Sequence, residues 1–236
     1  GAVRYALDAV ERALHDNGDS DRRHHLSHLQ VIQPDDIPRF AELGAVANFQ
    51  PAWAYADDYV VDLTLPFIKP EVAKWMYPIG SVADAGGRLA FGSDWSVSTA
   101  DPFYQIEHAV TRVDAETHAT DPLNPQQAIT LEQAIEAFTM GSAFVNHQEQ
   151  KTGSVEVGKL ADLIVINQNL FTINPQAISD TKVVLTLFGG KPVYGKPGDL
   201  ELEAGHTGRP AGAIALLLAM IVHVADCLVH DVETFE

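Results

Sequence analysis

Apolar positions along this chain switch between two periods, and the switches mark out its elements. Val3, Leu7, Val10 and Leu14 recur at helical spacing within Val3–His15, giving one apolar stripe on an amphipathic helix. A polar turn, Asp16–Arg23, follows. His24–Ile32 alternates and then runs apolar, which predicts a strand buried on both faces. Pro34-Asp35-Asp36 opens a helix carrying Ile37, Phe40, Ala41 and Leu43, and Gly44 ends it. Ala45–Gln50 and Arg88–Ser93 read as two further strands. Asp101-Pro102 starts a helix running to about Val113. Thr130-Leu131-Glu132-Gln133 has the form of a capping box opening a helix to about Val145. Strand and helix alternate throughout this stretch, so the expected class is α/β, built from βα repeats.

From Lys151 the texture changes. Leu163-Ile164-Val165-Ile166 and two apolar stretches within Lys182–Tyr194, around Gly189-Gly190, predict a small β unit. Gly195–Pro210 reads as a linker, and Ala211–Val224 as an apolar helix. Three regions result: 1–150, 151–195 and 196–236. The long segment Ala56–Pro78 reads as a loop in which Trp75, Met76 and Tyr77 line a pocket or form an apolar lid or interface.

Composition narrows the partners. The chain has 236 residues, 46% of them hydrophobic, as in an ordinary globular protein. A formal net charge of -17 argues against nucleic acid or an anionic membrane surface and for a small-molecule substrate. The apolar run Ala211–Val224 contains His223 and is shorter than the ~20 residues a bilayer-spanning helix needs. Cys227 is the single cysteine, so no internal disulfide forms, and a reducing, cytoplasmic setting is expected. No signal peptide is legible at Gly1.

In barrel-like folds the reactive groups sit at the C-terminal ends of parallel strands, and His28, Gln50 and Asp94 fall at or near such ends. His28 shares strand parity with His24 and Leu26, so it reaches an ion at the mouth if that face points inward. Taken one at a time, His24, His25 and His28 read more readily as inert, hydrogen-bonded polar residues at a strand start. Asp94, in Phe91-Gly92-Ser93-Asp94-Trp95, suits a metal ligand that also takes a proton from water. A helix N-cap or Asx-turn explains the same residue. His108, His118 and His147 fall on helices or loops, where a solvated or core-satisfied histidine is usual.

Several segments together resemble the family-3 amidohydrolases, which include N-substituted formamide deformylase-like enzymes. They are Arg23-His24-His25-Leu26-Ser27-His28, Pro34 through Gly44, Asn48-Phe49-Gln50-Pro51, Arg88 through Trp95, Thr130 through Ala134, and Gly153 through Leu163. They occur in the family's order and spacing, and the likeness covers about Ala2–Tyr194. It implies the C-terminal part of a (β/α)8 TIM barrel, strands six to eight, with part of a small β-sandwich. It also implies one or two divalent metal ions, usually zinc. His28 matches the family's sixth-strand histidine ligand, and Asp94 its eighth-strand aspartate, both ligand and base. Gln50 and Trp95 are expected to meet substrate.

The departure from the family is equally informative. The first-strand His-x-His, the fourth-strand Lys and the fifth-strand His have no counterpart, and a catalytic zinc normally takes three protein ligands. The expected partners are therefore an amide-like substrate and a complementary N-terminal half, with a homo-oligomer left open. The implied reaction is hydrolysis of an amide, formamide or cyclic amide. Two alternatives stand beside it: a non-catalytic barrel fragment or assembly module, and an esterase using the same metal centre.

Overall fold

A computed structural model describes residues 1–18 and 20–196. Most of the expected linker, the apolar run Ala211–Val224 and Cys227 lie outside the described residues. Helix α1, Ala2–Asn17, buries Leu7 and Val10, while Val3 and Leu14 are half-buried at the edges of the same stripe. Its Arg4 reaches the buried carboxylate of Asp36 at 2.9 Å, and Arg39 joins the same carboxylate at 3.1 Å. Asp36 belongs to a 3-10 turn, Pro34–Asp36, that leads into α2, Ile37–Glu42. Gly44, with φ +62°, turns the chain out of this helix.

Strand β1 is His25–Ser27, shorter than the expected His24–Ile32. The backbone turns left-handed at His28 (φ 69°) and Leu29 (φ 46°), which ends the pairing. β1 is an edge strand with an exposed, half-exposed, exposed pattern, not a strand buried on both faces. The apolar residues that suggested burial, Leu29 and Ile32, enter the core beyond the strand. β2, Val46–Phe49, is central and almost wholly buried, and β3, Leu89–Phe91, flanks its other side. Both pairings are parallel, with Leu26 opposite Ala47 and Asn48 opposite Ala90.

The expected pocket-lining loop is instead largely structured. After a 3-10 turn at Pro51–Trp53 come α3, Asp58–Val61, a 3-10 turn at Leu65–Phe67, and α4, Pro70–Ala73. Met76 bridges to Val31 and is fully buried, and Tyr77 is buried beside it, so both serve the core. Trp75 packs partly buried against that core.

Helix α5 spans Ile79–Asp84. α6, Pro102–Thr111, is capped by Asp101, whose carboxylate accepts the Phe103 N–H at 2.9 Å. A 3-10 turn at Pro125–Gln127 precedes α7, Leu131–Glu136. The capping box forms in full: Gln133 N–H donates to Thr130 Oγ1 at 3.2 Å and Thr130 N–H to Gln133 Oε1 at 2.9 Å. The helix then widens into a π-turn, Ala137–Gly141, before α8, Ser142–Val145. At the N-terminal ends of the strands, the guanidinium carbons of Arg23 and Arg88 each lie 4.0 Å from the centroid of the Phe144 ring. Arg23 also pairs with Glu149 at 2.7 Å and donates to the Phe144 carbonyl.

The second sheet is antiparallel, in the order β4 (Leu163–Ile166), β5 (Val183–Phe188), β6 (Lys191–Tyr194). It shares no strand with the first, yet Ile164, Ile166, Leu170 and Ile178 join the same core cluster as Phe40, Phe49 and Ile106. Ser179 N–H donates to the buried Glu107 of α6 at 2.8 Å, tying the two regions together. Among the described residues no helix is long and apolar enough to cross a membrane.

Candidate active site

The parallel sheet delivers its strand ends to one side, and two titratable side chains meet there. His28 follows β1 directly, and Asp94 lies three residues beyond β3. Both adopt left-handed backbone conformations, φ 69° and 58°. His28 Nε2 and Asp94 Oδ1 stand 4.0 Å apart, with side chains 59% and 25% exposed. The strand parity assigned to His28 from its sequence position therefore does not apply: the left-handed turn after Ser27 aims it.

Local chemistry explains the conformation at Asp94. The region costs most non-glycine residues of the order of 1–2 kcal/mol, and Asp is among those that tolerate it best. The Asp94 carbonyl accepts N–H bonds from Val97 at 2.8 Å and Ser98 at 2.9 Å, which closes the turn through the backbone. Ser93 Oγ accepts the Trp95 N–H at 3.1 Å, and buried Gln105 donates to the Ser93 carbonyl at 3.1 Å. The carboxylate is free for other work. Its Oδ2 accepts the indole N–H of Trp53 at 3.2 Å.

Gln50, at the end of β2, is 5% exposed. Its Oε1 accepts the backbone N–H of His28 at 2.8 Å, and its Nε2 donates to Asn48 Oδ1 at 3.1 Å. Asn48 Nδ2 donates in turn to Ser27 Oγ at 3.1 Å. Both ends of the Gln50 amide are thus engaged by protein, whereas Trp95 is 48% exposed beside Asp94. Trp53, Asn48 and Ser27 were not singled out from the sequence. The one local signal for Trp53 was an aromatic N–H donor in the turn directly after a strand end.

The donor set suits a divalent metal ion. An imidazole nitrogen and a carboxylate oxygen are the ligand types zinc accepts, and two such ligands at ~2.0–2.2 Å on a tetrahedral ion lie about 3.3 Å apart. The observed 4.0 Å is somewhat longer than that spacing, and the His28 side chain is 59% exposed. The two residues fit as part of a ligand set. Among the described residues no group of three His, Cys, Asp or Glu converges on one point.

The other histidines are placed elsewhere. His25 is exposed on the edge strand, and His24 is half-buried. His118 contacts buried Glu107 at 2.7 Å, and His147 lies 3.8 Å from Asp21. His108 is fully buried, accepts the Ala115 N–H on Nε2 at 3.1 Å, and has its pKa pushed down to about 3 by burial.

The amidohydrolase family model matches residues 1–194 of the chain. The chain belongs to the amidohydrolase family. Among its relatives, Protein LONG AFTER FAR-RED 3 from Arabidopsis thaliana is 32% identical over 80% of the chain and 31% of its own length. N-substituted formamide deformylase from Arthrobacter pascens is 27% identical over 84% of the chain and 35% of its own length. An uncharacterized metal-dependent hydrolase from Pyrococcus furiosus superposes with a TM-score of 0.53 at 27% identity, covering 67% of this chain and 29% of the other. The chain thus spans about a third of the length of these two curated relatives.

Proposed function

We propose that this chain supplies strands six to eight of a (β/α)8 barrel and part of a small β-sandwich. In this reading it acts with an N-terminal half as a metal-dependent hydrolase of a C–N bond in an amide, formamide or cyclic amide. The observation that carries the reading is the approach of His28 Nε2 to Asp94 Oδ1, 4.0 Å apart beyond the C-terminal ends of a parallel sheet. The deformylase among its relatives supports the choice of bond.

His28 and Asp94 would hold a divalent metal ion, zinc by choice of donors, with at least one further ligand from the complementary half. When bound, such an ion would supply Lewis-acid polarisation of the substrate carbonyl and a lowered pKa for water. Asp94 takes a proton from the attacking water and returns it to the leaving amine nitrogen, so the carbonyl carbon gains an oxygen and loses the C–N bond. Trp95, half-exposed beside Asp94, offers the substrate an apolar wall.

Metal analysis and hydrolysis assays on N-formyl and cyclic amides, run on the protein at its full natural length and on this chain alone, test the reading. The full-length protein is expected to hold metal and turn over an amide, and this chain alone to turn over none. A full-length protein that binds no metal and hydrolyses nothing overturns it, and one that cleaves only esters replaces the bond class.

A further inference from the structure

We infer that the segment Gln50–Trp53, which supplies no metal ligand, aligns both candidate ligands, with Gln50 and Trp53 as positioning residues. The inference rests on the reading of His28 and Asp94 as ligands. It assigns Gln50 to alignment in place of substrate contact.

β2 lies between β1 and β3, so the chain leaving it passes between the two ligand-bearing ends. From there it reaches both. Gln50 Oε1 accepts the His28 backbone N–H at 2.8 Å, just where the chain turns left-handed and β1 pairing has stopped. That donor has left the strand ladder, and the Gln50 carbonyl oxygen replaces the ladder acceptor. Gln50 is itself immobilised by burial and by its bond to Asn48, which is bonded to Ser27, the residue before His28. The loop Ser27-His28 is therefore gripped at two successive residues from β2.

Three residues beyond Gln50, Trp53 sits at the end of the 3-10 turn Pro51–Trp53 and donates its indole N–H to Asp94 Oδ2 at 3.2 Å. Indole is a donor only, so Asp94 Oδ2 is the acceptor of this bond. It also distinguishes the two oxygens: Oδ2 is held by Trp53, and Oδ1 is the one facing His28 Nε2. Proline at the first position of the turn fixes one backbone angle between the two positioning residues. A ligand pair set on two separate left-handed turns is in this way referred to one short rigid segment. Supporting groups of this kind typically account for about 10- to 100-fold in metal affinity.

The test uses the full-length protein with Co2+ as the probe, and three variants: Trp53→Phe, which keeps a ring and deletes the N–H; Gln50→Met, which keeps length and deletes both polar ends; and Asp94→Asn. Trp53→Phe and Gln50→Met are each expected to weaken Co2+ binding about 10- to 100-fold while the metal-free protein melts within a few degrees of wild type. In 15N-tryptophan-labelled protein without metal, Asp94→Asn is expected to shift the Trp53 indole resonance and leave that of Trp75 in place. Retention of wild-type Co2+ affinity in both positioning variants overturns the inference, provided that Asp94→Asn loses it. An unmoved Trp53 resonance in Asp94→Asn overturns it independently of any metal. If Asp94→Asn binds Co2+ as wild type does while the indole resonance moves, the alignment geometry stands and the metal-ligand reading fails.

Discussion

Tyr55 lies flat against His108, with ring centroids 4.3 Å apart and planes 3° from parallel, while Tyr104 meets the same imidazole edge-on at 4.4 Å. This packing and the Ala115 N–H on Nε2 hold His108 neutral in the folded protein, its pKa pushed down to about 3 by burial. An unfolded histidine titrates near 6.5. Below that pH the unfolded chain binds a proton that the native chain refuses, so stability falls as pH drops from about 6.5 and the loss ends near 3. The slope approaches ~1.4 kcal/mol per pH unit. Urea unfolding at pH 7 and pH 5 is expected to show roughly 2 kcal/mol more acid loss in wild type than in His108→Gln, and equal losses would contradict this.

Asp94→Asn keeps the shape of the side chain and removes its basicity. In the full-length protein it is expected to lower kcat by at least about 10²- to 10⁴-fold, the usual range for a general base, with an unchanged circular dichroism spectrum. Activity near wild type would return Asp94 to a turn-forming role.

Gly141, at the end of the π-turn, faces the carbonyl of Leu89 in β3 so closely that an added Cβ would collide with that backbone oxygen. Neither partner is a flexible side-chain end, so backbone must shift. Gly141→Ala is expected to cost about 1–3 kcal/mol, visible as a lower urea midpoint with unchanged slope. A neutral or raised midpoint would mean that the helix and β3 separate freely.

Thr130→Ala removes the acceptor for the Gln133 N–H and with it half of the capping box. The expected cost is about 0.5–2 kcal/mol, or roughly 1–8 °C in Tm for a domain of this size. Thr130→Ser, which keeps the hydroxyl, is expected to recover most of it in the same thermal melt.

Elements whose cause is local were legible in the sequence. Thr130 and Gln133 form the box their spacing announces, Asp101 caps α6, and Gly44 ends α2. The family motifs around Asp94 and His28 pointed to two side chains that do come together. What escaped depends on distant partners. His24–Ile32 carries a strand-like pattern, but an edge with one neighbour and two left-handed residues ends β1 at Ser27. The π-turn ends at Gly141, which is set against the Leu89 backbone of β3, a contact between residues far apart in the sequence. Trp53 and Asp94 are 41 residues apart, and no local rule pairs an indole with a carboxylate at that distance.

Arg23 enters β1, Arg88 enters β3, and both lay their guanidinium groups against the ring of Phe144, with Glu149 completing the ion pair to Arg23. This fastening lies at the opposite end of the strands from His28 and Asp94. The two ends of the sheet are thus separately built. Under the proposed function, exchanges at residues such as Trp95 would fall beside His28 and Asp94 and leave the fastening at the other end of the strands intact.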